Sequence, residues 1–316
     1  MASNGATAAA KPSPSNEVQD AAPRARTENR TPGSGQGGKN ATRRAAPHSV
    51  AAPVDVADLG RINKRDASEM NPHLAPRRLW RCCVFDSLAD ADVRTIIDLR
   101  NHATETVCRQ TAPDARVVRA PFAGRSALVR LFMGLDGASR LALLRGKELP
   151  EGVVARYYFR SPELILDMYL RMLWGSRRSW RTVMSVLADE RNYPVAVHCS
   201  AGKDRTGIVV ALLAALCASS AAASPPQADD GWRDRVCRDY SASYDNFVRA
   251  VSALRERGLL DGLPSDDAVL RTPYETMAGL LRVVEREYGS VRGFFERFVG
   301  LSPAAVDRVV RNLTSS

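Results

Sequence analysis

The chain has 316 residues, 45% of them apolar, and a formal net charge of +10. That is enough to bury a sizeable core, and the charge suits an anionic partner without choosing among phosphate, nucleic acid and an acidic membrane face. No basic stripe interleaved with aromatics occurs, and no nucleic-acid signature, so nucleic acid is not an expected partner.

Residues 1–53 are rich in Ala, Pro, Ser and Gly and hold almost no large apolar residue. Such a segment cannot offset its ordering entropy by burial, and we expect a disordered, mildly basic tail. Glu17, Asp20 and Glu28 count against an organelle transit peptide, and no apolar signal-peptide core is present. The expected ordered domain is 54–316.

Arg61 to Asp66 precedes a loop, and Arg78 to Cys83 reads as a short strand. Ser87 to Ala91 is a capped turn or short helix. Val93 to Leu99 is a β-branched run, as expected of a buried parallel strand, and Val117-Val118 marks another. Residues 126–147 carry Leu128, Leu131, Phe132 and Leu135 at helical spacing, among Arg125, Arg130, Arg140, Arg145 and Lys147. Two readings stand there: an ordinary amphipathic surface helix, or a basic, partly apolar lid over a site. Ser161-Pro162 caps a helix to about Leu173, and another runs from Ser179 to about Glu190.

Val195-Ala196-Val197 is the next strand, and Ile208 to about Ala218 the next helix. Residues 219–231 read as a flexible connection, and helices at 232–257, 273–287, 290–298 and 303–312 complete the chain. The order predicts an α/β fold with a small, mostly parallel sheet flanked by helices. The apolar run from Gly207 to Ser224 is read as a core helix, not a membrane span.

Between that strand and helix stands His198-Cys199-Ser200-Ala201-Gly202-Lys203-Asp204-Arg205-Thr206. Backbone amides of a loop entering a helix N-terminus form an anion cradle. The same field lowers a thiol pKa, making Cys199 a nucleophile. The cradle is expected from Ser200, Ala201, Gly202, Lys203, Asp204 and Arg205. Gly202 permits the tight turn, and Arg205 supplies a two-pronged donor to phosphoryl oxygens. Thr206 can donate its hydroxyl to the thiolate. His198 orients the loop or serves as a base. Lys203 either meets a second phosphate or is a solvated loop charge. The plain alternative for Cys199, a small buried hydrophobe, leaves three successive charges between strand and helix unexplained.

The ten residues from His198 to Gly207 resemble the signature of the cysteine-dependent protein tyrosine phosphatase superfamily. The closer resemblance is to its tyrosine phosphatase family 3, which includes bacterial and plant tyrosine, dual-specificity and lipid phosphatases. Asn63 to Asp66, Leu79-Trp80-Arg81, Thr95 to Arg100, Asp239-Tyr240 and Tyr288-Gly289-Ser290 follow that family's landmarks in order. The resemblance implies a tyrosine-phosphatase-like fold with a helical lid, placed at 123–156. It implies Cys199 as nucleophile, Arg205 as phosphate clamp and Asp204 as general acid, with Asp98 as the fallback acid. No W-P-D sequence is present, in agreement with an acid inside the loop.

No metal and no cofactor are expected. The six cysteines, at 82, 83, 108, 199, 217 and 237, show no CxxC pair. A working thiol fits a reducing, cytoplasmic setting. The expected substrate is a phosphorylated protein, with a phosphoinositide or inositol phosphate as the alternative and a non-catalytic phosphate-binding module as the third reading. Peripheral contact with acidic lipid and the oligomeric state stay open.

Overall fold

The computed structural model describes residues 61–101, 106–122, 124–146, 150–221, 231–256 and 267–315. The expected tail, the domain start at Val54, most of the 219–231 connection and Lys147 lie outside the described residues.

Five strands form one sheet: β1 (Arg65–Asp66), β2 (Leu79–Cys82), β3 (Thr95–Asp98), β4 (Arg116–Arg119) and β5 (Val195–His198). Their spatial order is β1-β2-β5-β3-β4. All pairs are parallel except β1 with β2. The expected α/β class is borne out. Helices cover both faces, so the central strands are buried on both sides, as their continuous apolar runs require.

The strand period sorts the side chains. Leu79, Ile97, Val195 and Val197 join the main core, whereas Trp80, Ile96 and Ala196 join a smaller cluster with Leu88 and Cys108. The register sets where the strands end. His198 at the end of β5 stands beside Cys82 of β2 on one side and Asp98 of β3 on the other. Three parallel strands therefore end at one level, where ligands bind in such sheets.

The main core is built on α7 (Asp204–Ala221), whose residues 208–218 are all buried. A helix apolar on every side has to be enclosed. It is enclosed by α5 (Pro162–Gly175), α8 (Trp232–Glu256), α9 (Tyr274–Tyr288), α10 (Val291–Gly293) and α11 (Pro303–Thr314). After α10 the chain continues as a wider π-type turn, Phe294–Val299, where the sequence predicts one ordinary helix. Phe294 and Phe295 there meet Trp180 of α6 (Arg177–Leu187) edge-on. The short α1 (Val107–Gln110) covers the other face beside Cys108.

Two expectations are corrected. The 126–147 helix is two helices, α2 (Arg125–Gly134) and α3 (Gly137–Leu144), followed by α4 (Pro150–Tyr158). Leu135 leaves helical geometry and Asp136 caps α3 by accepting from the Ser139 amide, so a second N-terminus interrupts the periodic run. Leu128 does not share the inner face with Leu131 and Leu135; it is 51% exposed, and Ala127 takes the buried position. Arg65 and Asp66, to which the sequence assigned no element, form a short strand against Arg81 and Trp80, and the loop expected after them opens on a single tight turn, Ala67–Glu69. No helix of the described residues is long and apolar enough to cross a membrane.

Candidate active site

Cys199 follows β5 directly, and α7 starts five residues later at Asp204. The intervening loop is held by its carbonyls. Asn63 Nδ2 donates to the carbonyls of Ala201 (3.1 Å) and Gly202 (3.0 Å), and Arg81 donates to Gly202 from the same side (2.9 Å). The Val84 amide donates to the Ser200 carbonyl at 3.1 Å. In a trans peptide the N–H points opposite to the C=O. Tying these three carbonyls therefore turns the amides of Ala201, Gly202 and Lys203 away from the scaffold. Gly202 makes this possible. Its φ is +64°, and a Cβ there would lie 2.3 Å from the Cys82 carbonyl oxygen.

Behind the loop lies a buried polar network. Asp239 of α8 accepts from Arg65 Nε (2.7 Å) and from Arg81. Arg65 also donates to Asn63 Oδ1 (2.6 Å), and Ser243 accepts from both guanidiniums. Burial opposes ionisation of Asp239, but Arg81 and Arg65 outweigh it and hold the carboxyl below its usual range. Burial, then the neighbouring Arg81 charge, lowers the Arg65 pKa to about 10 despite Asp239. Asp86 adds a second anchor, accepting from the amides of Ile62 (2.7 Å) and Cys83 (2.8 Å).

The Cys199 thiol is 2% exposed. Burial pushes its pKa up, yet the Arg205 guanidinium, then the Thr206 hydroxyl and amide, bring it below the ordinary thiol range. Thr206 Oγ1 is buried and has no hydrogen-bond partner of ordinary geometry, so its hydroxyl is free to turn to the sulfur. Arg205 is partly exposed and reaches Ser200 Oγ at 3.4 Å, across the mouth of the loop.

His198 is buried, with Nδ1 3.1 Å from the Cys199 carbonyl and Nε2 3.9 Å from Asp98. Burial, the largest influence, lowers its pKa and favours the neutral ring. Its contacts are those of a loop-orienting residue. Asp98 receives the Arg100 amide (2.9 Å), Nε (3.0 Å) and a terminal nitrogen (2.8 Å). Burial raises its pKa, but Arg100 and His198 outweigh it and hold the carboxyl down. Arg100 thus engages both carboxylate oxygens of Asp98.

Of the two readings of Lys203, the solvated loop charge is the one that burial removes: the residue is 3% exposed. Its Nζ donates to Asp204 Oδ1 (2.8 Å), reaches the Arg271 carbonyl (3.4 Å) and lies 4.8 Å from the Phe159 ring centroid. Asp204 Oδ1 also accepts from the Tyr169 hydroxyl, which pairs with Tyr240 at 2.8 Å. Burial and then the Asp204 charge raise the Tyr169 pKa well above its ordinary value, so the phenol stays a donor.

All the loop residues expected from sequence are thus together. Residue chemistry alone did not assign roles to Asn63, Arg65, Arg81, Asp239, Tyr169 or Tyr240. All but Tyr169 stood within the landmark strings, which carried the signal; Tyr169 had none. Among the described residues no group of three or more His, Cys, Asp or Glu that could hold a metal comes together. All six cysteines are free thiols.

A family model described as a tyrosine phosphatase family matches residues 58–315. Triple specificity protein phosphatase PtpB of Mycobacterium tuberculosis (strain ATCC 25618 / H37Rv) is 31% identical over 148 residues, 43% of this chain and 48% of that protein. The chain thus spans about half the length of the curated relative it matches.

Proposed function

The chain belongs to the tyrosine phosphatase family, and from that premise we propose that it hydrolyses phosphate monoesters through a cysteinyl-phosphate intermediate, acting on phosphotyrosine or with dual specificity on proteins. The observation that carries this reading is the placement of Cys199 at the end of β5, before a loop whose Ser200, Ala201 and Gly202 carbonyls are tied back, with Arg205 and Thr206 bringing the thiol pKa down against burial. A structural cysteine would sit in apolar surroundings with its pKa raised, as Cys217 does, pushed by burial to about 12.

In the first step Cys199 Sγ attacks phosphorus and the ester P–O bond breaks. The amides turned toward the open side of the loop, with Arg205, receive the phosphoryl oxygens. Asp204 protonates the leaving oxygen. Both of its hydrogen bonds fall on Oδ1, which leaves Oδ2 to carry that proton. Water then attacks phosphorus, the S–P bond breaks, Asp204 takes back a proton and inorganic phosphate departs. Thr206 Oγ1 stabilises the departing thiolate. Tyr169 fixes the Asp204 rotamer, and the neutral His198 holds the loop, not the proton.

A phosphoinositide is the second reading, favoured by Arg125 and Arg130, exposed on α2, and Arg145, exposed at the end of α3. Lys203 weighs against it, since its ammonium is committed to Asp204 and Phe159 and is not free for a second ring phosphate. The test is a parallel screen of phosphopeptides and phosphoinositides with the full chain. Phosphopeptide turnover insensitive to chelators is expected. Turnover confined to phosphoinositides would install the second reading, and turnover of neither would remove both.

A further inference from the structure

Helix α2 is apolar on two opposite sides. Its inner side, Ala127 and Leu131, is buried against α5. The approach is so close that a Cβ on Gly175 would lie 2.4 Å from Ala127 Cα. Tyr158 donates to the Leu131 carbonyl (2.8 Å) and Arg171 to the Arg130 carbonyl (2.9 Å). These contacts fix the roll of the helix, so its outer side cannot turn inward. That outer side carries Leu128, Val129 and Met133, 51%, 62% and 60% exposed. Helix α3 adds Leu141 and Leu144, 45% and 74% exposed. Among the described residues eight large apolar side chains are exposed, and these are five of them. An ordinary amphipathic surface helix would present polar residues here; exposed apolar side chains concentrated on two consecutive helices mark a contact surface.

The charges around the patch identify what it contacts. Arg125 and Arg130 are exposed on α2 and Arg145 at the cap that ends α3, and the only acid within residues 124–146 is Asp136, engaged in capping α3. The apolar residues are aliphatic, without the tryptophan or tyrosine that dominates protein contact surfaces. Aliphatic side chains with arginines between them match a bilayer whose headgroups are anionic.

We propose that the α2–α3 face docks on an anionic lipid bilayer, with Leu128, Val129, Met133, Leu141 and Leu144 entering the headgroup layer and the arginines pairing with lipid phosphates and carboxylates. The docking surface is separate from the catalytic chemistry and does not depend on it. It is nevertheless mechanically tied to it, because α5 joins α2 to Asp204 through Tyr169.

Co-sedimentation of the full chain with phosphatidylcholine vesicles, with and without phosphatidylserine, tests this. Binding is expected only with phosphatidylserine and should weaken as salt rises. Val129→Asp with Met133→Asp should reduce it at least about tenfold. Arg125→Gln and Arg130→Gln should each cost about fivefold. Unchanged thermal melts and unchanged turnover of p-nitrophenyl phosphate would show that these variants are folded. Three results would overturn the proposal: no binding to phosphatidylserine vesicles at low salt, binding that survives the double aspartate variant, or a concentration-dependent dimer that the double variant dissociates.

Discussion

The scaffold behind the catalytic loop and the outer face of α2–α3 depart from ordinary burial in opposite directions. Behind the loop, Arg65, Arg81 and Asp239 are charged and buried. On α2–α3, Leu128, Val129, Met133 and Leu144 are apolar and at least half exposed. Buried charge is costly unless every partner is present, and Asp239 has both guanidiniums in hand. Exposed apolar surface costs little until something covers it. The first region is therefore rigid and intolerant of change. The second is tolerant in isolation and matters only in contact. Position in the molecule, not residue class, decides which substitutions hurt.

That contrast orders the expected effects. Cys199→Ser should lower turnover of p-nitrophenyl phosphate by about 10^4-fold or more while leaving the melt unchanged. Activity near that of the parent would remove the covalent mechanism. Asp239→Asn should destabilise the fold by about 3–5 kcal/mol in denaturant titration, because two buried guanidiniums lose their counterion. A loss under about 1 kcal/mol would mean that water or relaxation compensates and that the scaffold is less rigid than its contacts imply.

The same residue gives a pH signature. Its folded pKa is depressed, so its contribution is present above the unfolded carboxyl pKa, about 4, and is lost as pH falls through the folded value. The parent should therefore lose stability on acidification below about pH 4, and Asp239→Asn should lack that component. Equal acid sensitivity in both would assign the loss to other carboxylates.

Tyr169→Phe should cost about 1 kcal/mol in catalysis, roughly fivefold, and more for esters with poor leaving groups than for good ones. An equal loss on both kinds of ester would detach Tyr169 from the Asp204 proton. At the small end, Met133→Asp should change stability by no more than about 0.5 kcal/mol, in contrast to any charge removed behind the loop. A large loss there would mean that the outer face is packed after all.

Much of the site was legible because its chemistry is local. Cys199, Gly202, Lys203, Asp204, Arg205 and Thr206 lie within eight residues, and one strand and one helix position them. The parallel sheet was legible from the β-branched runs at 93–99 and 195–197. What sequence could not give is contact across distance. Arg65 and Asp239 are 174 residues apart, and Tyr169 reaches Asp204 from another helix. The solvated alternative for Lys203 stayed open because neither Phe159 nor the Arg271 carbonyl neighbours it in sequence. Leu128 fitted the helical spacing, but the roll of α2 is set by Gly175 and Arg171 of a different helix. The break at Asp136 was local, and its capping pattern with Ser139 was there to be read.

The central claim is that Cys199 carries the phosphoryl group. The direct measurement is mass spectrometry of a reaction quenched in denaturant at mildly alkaline pH during the first turnover, with peptides mapped for added phosphate. The account predicts phosphate on the peptide containing Cys199, present in the parent and absent from Cys199→Ser. Phosphate found on His198, or on no residue while turnover proceeds, would contradict it.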